Sequence, residues 1–324
     1  METAARHGGD MKLSALFHRG RSGKNGIHPL DNYLDSLTPN TRKTYAHILE
    51  SIARTLSNGK RDARTIRWES LNFRDDLKLL ASLQEGVTPK TANLRLTVYR
   101  QWVKAMRRMK LIPMDRVEDM GEVKNLSGHA LPAGRALSVD EVNLVLDHCE
   151  AKQTPKGLRD CALVSVLYGS GMRRGEAIAL QLADYRPGQS PELIIRGGKG
   201  RKDRAVDLAS KFQRRVDAWV KVRGSLPGPL FCPVGNGGYV YVGKLHPQTV
   251  TDLMRSLADE CGLSKFTPHD LRRTFATHLR DAGVRIEIAA ELMGHSSIMV
   301  TALYYRSSEE KCRQASCSLP GGGQ

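Results

Sequence analysis

Residues 120–136, MGEVKNLSGHALPAGRA, are rich in Gly, Pro and small side chains and carry no apolar repeat, so they offer no continuous face to a core. Amphipathic periodicity returns on both sides, so the chain must build two separate cores. With 324 residues, each half has the size of an ordinary domain. The expected layout is a basic arm over 1–28, a helical domain over 29–118, a linker over 119–136, a second domain over 137–306 and a tail over 307–324.

The first domain reads as all helical. Thr38-Pro39 supplies an N-cap and a first-turn proline, and Tyr45, Ile48, Leu49, Ile52, Ala53 and Leu56 follow at helical spacing. The opening recurs at Thr88-Pro89, ahead of Ala92, Leu96, Tyr99, Trp102, Val103 and Met106. In the second domain, Ser138 with Glu141 forms a capping box. Glu192–Arg196 and Arg204–Leu208 flank a run of glycines and charges, which predicts a hairpin with a basic tip. From Pro247 to Tyr305 the pattern is helical, with Gly262, Gly283 and Gly294 where helix C-termini want glycine. The fold class is therefore mainly α with a small β-sheet.

Fifty Lys and Arg against 34 Asp and Glu leave a net charge of +16, a field that attracts polyanions, with nucleic acid first among them. The six cysteines form no CxxC pair and no zinc-finger spacing, which fits reduced thiols in a cytoplasmic protein. No apolar run approaches a membrane span, and the first residues lack the apolar core of a signal peptide. The expectation is a cytoplasmic, nucleoid-associated bacterial protein with no membrane partner.

TPHDLRRTFATHL, residues 267–279, starts a helix with Thr267-Pro268 and sets His269 and Arg272 on one face near its N-terminus. An imidazole, a guanidinium and free helix N–H groups together suit a phosphate; the same residues would also fit an ordinary amphipathic surface helix. GSGMRRGEAIAL (169–180) places Arg173 after a glycine pair, RGGKGRKDRAV (196–206) puts Lys199 in the hairpin turn, and LMGHSSIMVTALYY (292–305) sets His295 nine residues before Tyr304. Taken singly, each also fits a structural role: Arg173 as an ion-pair partner for Glu176, Lys199 as a solvated charge, His295 as a helix-end hydrogen-bonder, Tyr304 as a core aromatic.

In this order and together, Gly-Met-Arg-x-x-Glu, Gly-Lys-Gly, His-x-Leu-Arg, Leu-Met-Gly-His and the final Tyr resemble the tyrosine recombinase, or phage integrase, family across about residues 137–306. Arg174 and Gly175 depart from the aliphatic or small residue and serine common at those positions. The helical region before the match looks like the family's core-binding domain. The resemblance implies a two-domain clamp on double-stranded DNA, with a C-terminal mixed α/β catalytic domain and a homotetramer assembled on two sites. It also implies recombination through a phosphotyrosine and a Holliday junction, without cofactor, metal or ATP. Carried over, it makes Arg173 and Arg272 the phosphate clamp, His269 a proton acceptor, Lys199 the general acid, His295 a further phosphate ligand and Tyr304 the nucleophile. The T-x-x-Y pattern at Thr301–Tyr304 selects Tyr304 over Tyr305. An accessory protein is a further expected partner, and the short form suggests resolution of chromosome dimers or transposon cointegrates.

For DNA contact, the residues singled out are Arg95, Arg100, Lys104, Arg107 and Arg108 on helix 88–110, the groove reader, and Arg201, Lys202 and Arg204 at the hairpin. Two other readings remain: an accessory DNA-binding protein that keeps the fold without chemistry, and a relaxing enzyme of the type IB topoisomerase kind. The GKG at 198–200 lacks the order and helix of a nucleotide-binding loop.

Overall fold

The computed structural model describes residues 28–128, 134–197 and 203–305, and the chain divides into two compact units, Met1–Leu131 and Pro132–Gln324. Among the described residues, no helix is long and apolar enough to cross a membrane.

The first unit is built of α1 (Pro29–Asp35), α2 (Pro39–Leu56), α3 (Phe73–Gly86), α4 (Pro89–Arg108) and α5 (Asp115–Glu122). The apolar stripe of α4 is its spine: Ala92, Leu96, Tyr99, Trp102, Val103 and Met106 are all buried, and the Trp102 ring meets Tyr33 and Trp68. Within this apolar packing Arg116 of α5 donates to both carboxylate oxygens of Asp76 on α3, at 2.6 Å each, and Tyr99 donates to Asp76 at 3.1 Å. The linker expected over 119–136 is corrected at both ends. Met120 and Val123 are buried in this core, and Leu126 exchanges two hydrogen bonds with the Asn93 side chain, so these apolar residues, three apart, pack with the first unit. On the other side, Gly134 and Arg135 are already bonded into the second unit.

The second unit comprises α6 (Val139–Ala151), α7 (Pro155–Ser170), α8 (Arg174–Ala179), strands β1 (Tyr185–Arg186), β2 (Glu192–Ile195) and β3 (Arg204–Asp207), then α9 (Ser210–Arg223), α10 (Pro247–Glu260), α11 (Pro268–Asp281), α12 (Ile286–Met293) and α13 (Ile298–Ala302). α7 is apolar nearly all round and lies at the centre, packed by α6, α9 and α11, as a helix without a polar face must be. The expected hairpin forms with Leu193 opposite Val206 and Ile195 opposite Arg204, both strands turning alternate residues into the core. β1 extends the sheet by two residues in the order β1-β2-β3, too short a strand for alternation to announce.

Gly171 ends α7 with φ +59°, a left-handed conformation that glycine adopts without cost. A Cβ there would lie 2.2 Å from the Phe275 ring of α11. The close approach is what lets the end of α7 meet the helix that carries His269 and Arg272.

The Asp76–Arg116 pair gives a stability test of the first unit. Breaking a buried, hydrogen-bonded ion pair strands one charge, which typically costs about 3–5 kcal/mol. Arg116→Met should lower the urea unfolding free energy by that order, whereas Arg42→Met, at an exposed pair with Asp35, should change it by less than about 1 kcal/mol.

Candidate active site

Arg272 is the most deeply buried arginine among the described residues, only 2 % exposed. It is held by helix ends. Its Nη1 donates to the Gly171 carbonyl at 2.5 Å, at the C-cap of α7, and its Nη2 donates to the Met293 carbonyl at 2.7 Å, at the last residue of α12. Carbonyls of a last helical turn lack intrahelical partners and carry the negative end of the helix dipole, so they suit a buried cation. Burial and the charge of Arg173 bring the Arg272 guanidinium down to about 10, still cationic at neutral pH.

Arg173 caps α8 and reaches the same place. Its backbone N–H and its Nη1 both donate to Glu176, at 2.9 and 3.0 Å, and Nη1 also lies 3.5 Å from the Gly294 carbonyl. Arg204 of β3 donates through Nη2 to Glu176 at 2.8 Å and through Nε to the Leu292 carbonyl at 3.1 Å. Burial pushes the Glu176 carboxyl up, but hydrogen bonds from Arg204 and Arg173 outweigh it and hold the group at about 2. Gly294, with φ +61°, closes α12 against these arginines; a Cβ there would stand 2.6 Å from Arg204 Nη1.

His295 follows that turn. Its Nε2 faces Arg272 Nη2 at 2.6 Å, and its Nδ1 faces the buried hydroxyl of Thr301 at 2.7 Å. A guanidinium only donates, so the neutral ring accepts at Nε2 and gives its Nδ1 proton to Thr301. Burial, joined by the charges of Arg272 and Arg173, brings the imidazole down to about 4. Tyr304 lies against it, the two rings nearly parallel (18°) with centroids 6.3 Å apart. The Tyr304 hydroxyl sits 3.2 Å from Nε2 of His269, whose imidazole is lowered by burial and by Arg272. The hydroxyl of Tyr305, by contrast, is buried away from this group.

Five of the six catalytic residues expected from sequence, Arg173, His269, Arg272, His295 and Tyr304, thus surround one spot; Lys199 lies outside the described residues, as do Arg201 and Lys202. Arg204, singled out for DNA contact, is 14 % exposed and bonded to Glu176 and the Leu292 carbonyl, because β3 begins beside α12. Arg100 is tied to the Asn125 side chain and the Val123 carbonyl. Arg95 and Arg107 are half-buried, while Lys104 and Arg108 stand exposed on α4. Thr301 was missed as a partner of His295, and Glu176 was weighed only as a partner of Arg173. A hydroxyl six residues after the histidine is the signal that points to Thr301.

Two arginines, two neutral histidines and a tyrosine hydroxyl around one spot are a set that can hold a phosphate beside a hydroxyl able to attack it. The fold agrees: XerH recombinase, crystallised with a palindromic difH substrate as a post-cleavage complex, superposes with a TM-score of 0.64 at 20% identity, over 89% of this chain and 83% of that one. Tyrosine recombinase XerA of Pyrococcus horikoshii is 30% identical over 252 residues, 75% of this chain and 78% of the relative. XerC of Alcanivorax borkumensis is 28% identical over 286 residues, 86% and 89%. The phage integrase family model matches residues 135–311. The chain belongs to the phage integrase family, that of the tyrosine recombinases.

The low histidine at the site makes the fold sensitive to acid. An imidazole that titrates at 6.5 when unfolded and near 4 when folded takes up its proton in the unfolded chain first, so stability falls as pH drops from about 6.5 towards 4. His269 acts in the same direction. Urea midpoints should fall between pH 7 and pH 5, and His295→Gln should flatten that dependence; an unchanged slope would contradict the assignment.

Proposed function

We propose that this chain is a site-specific DNA recombinase that cuts and rejoins strands through a covalent phosphotyrosine at Tyr304 and a Holliday junction. The observation that carries the reading is the Tyr304 hydroxyl, 3.2 Å from a histidine whose pKa is lowered, beside the Arg272–His295 pair. At neutral pH His269 is unprotonated and accepts the phenolic proton as the oxygen attacks phosphorus. The P–O bond to tyrosine forms while the P–O bond to the 5′ oxygen breaks. Arg173 and Arg272 hold the non-bridging oxygens, where negative charge builds, and His295 is a third ligand to them. Arginine suits this because it stays charged and binds oxygens in pairs. Lys199 is the residue assigned to protonate the 5′ oxygen, since lysine beside arginines loses its proton more readily.

The phosphotyrosine conserves the energy of the broken bond, so rejoining proceeds by attack of a 5′ hydroxyl with no ATP. DNA is held by exposed cations, for which Lys104 and Arg108 on α4 are the groove-side candidates, and binding should weaken steeply with salt. In this reading the reaction is a resolving one, on chromosome dimers or transposon cointegrates, carried out by a homotetramer on two sites with an accessory protein.

The test is covalent trapping. DNA crosslinked to the protein in cells is sequenced to obtain the site, and nicked duplexes carrying it are incubated with pure protein. Wild type should form a protein–DNA adduct, and Tyr304→Phe should form none while still binding. The cleavage rate should fall as pH drops below the ordinary histidine range and His269, whose imidazole is lowered by burial and by Arg272, gains its proton. Binding without any adduct in the wild type would instead favour the accessory-protein reading.

A further inference from the structure

The backbone N–H of Tyr304 donates to the Thr301 carbonyl at 2.9 Å, and the rest of the residue is held from outside its own helix. α13 has ended at Ala302, and the tyrosine lies along α11 instead. Three residues on one side of α11 touch it in order: His269 at the hydroxyl, Arg273 over the ring with Cζ 5.6 Å from the centroid, and Arg280, whose Nη1 donates to the Tyr304 carbonyl at 3.3 Å. A guanidinium within about 6 Å of a phenol ring is attracted by the negative face of its π-system.

Arg273 is itself fixed from behind. Its Nη1 donates to the Gly134 carbonyl at 3.1 Å, and that carbonyl belongs to a strap bonded along α11 turn by turn. Arg135 N–H donates to Asp270 at 3.1 Å, Leu137 N–H to Thr274 at 2.9 Å, and the Leu137 carbonyl lies 3.0 Å from His278 Nε2. The strap passes close to α11 at Gly134, where a Cβ would fall 2.1 Å from Asp270 Oδ1.

We propose that Arg273 is a positioning residue for the nucleophile, gripping the Tyr304 ring so that its hydroxyl is presented at His269, with the strap at Gly134 as its anchor. Resting on the recombinase reading, this adds a group that acts on the tyrosine alone, whereas Arg173 and Arg272 act on the phosphate. Charge over the ring is the active ingredient, and the arrangement of α11 does not depend on it.

The experiment compares Arg273→Gln and Arg273→Lys with wild type on the nicked duplex, reading DNA affinity and the single-turnover cleavage rate at saturating DNA separately. Arg273→Gln can still donate to Gly134 but has no charge; its affinity should stay within about twofold while cleavage falls about tenfold, between the sizes of an exposed and a desolvated cation–π contact, as suits half-buried partners. Arg273→Lys, which keeps a cation over the ring, should recover most of the rate. Equal cleavage rates in Gln and wild type overturn the proposal. So does a loss confined to affinity, which makes Arg273 a DNA contact, or a lysine variant as slow as glutamine, which makes the side chain structural. Absence of adduct in the wild type itself overturns the recombinase reading, a result separate from all of these.

Discussion

Three consecutive carbonyls at the end of α12 organise the catalytic unit: Leu292, Met293 and Gly294 face Arg204, Arg272 and Arg173 respectively. The last turn of a helix has carbonyls to spare and a negative dipole end. A single short helix of eight residues therefore collects guanidiniums that arrive from β3, α11 and the head of α8. The turn is possible because Gly294 adopts φ +61°, which both ends the helix and leaves room for Arg204. Everything downstream, His295 first, is set by where that turn releases the chain.

The charge balance follows from the same arrangement. Arg173, Arg204 and Arg272 converge on Glu176 and the α12 end, so one carboxylate faces three cations. Like charges so close repel, and burial lowers His295 and Arg272 further. The histidines give up their protons first, which leaves the permanent charge on arginine and the basic sites on imidazole. That division suits phosphoryl transfer, where charge on oxygen must be met by cations and the attacking proton must find a neutral base. Glu176 pins two of the three arginines, so the excess positive charge is fixed in direction before any anion arrives.

Much of this was legible in the sequence. The stripes of α4 and α11, the Ser138 and Thr267 caps and the β2–β3 hairpin all follow from local periodicity and turn chemistry, and five catalytic side chains could be named from motif order. The linker boundary was not legible, because Met120, Val123 and Leu126, three apart among Gly and polar residues, are too few to announce an element, and their place is decided by packing on the first unit. Nor was the task of Arg204: in sequence it is one more cation in RGGKGRKDR, and only the pairing of Ile195 with Arg204 brings it beside Glu176. A basic run read by charge alone mixes residues that face solvent with residues that hold the site.

Thr301 carries the reasoning one step further. His295 Nε2 accepts from Arg272, so its proton is on Nδ1 and points at Thr301. To donate to a phosphate oxygen through Nε2, the ring must exchange that proton for one on the other nitrogen. A hydroxyl both accepts and donates, so Thr301 can face either tautomer without moving, which a carboxylate or an amide N–H could not. The histidine is thereby kept neutral and in place in either state, by a partner that imposes no tautomer.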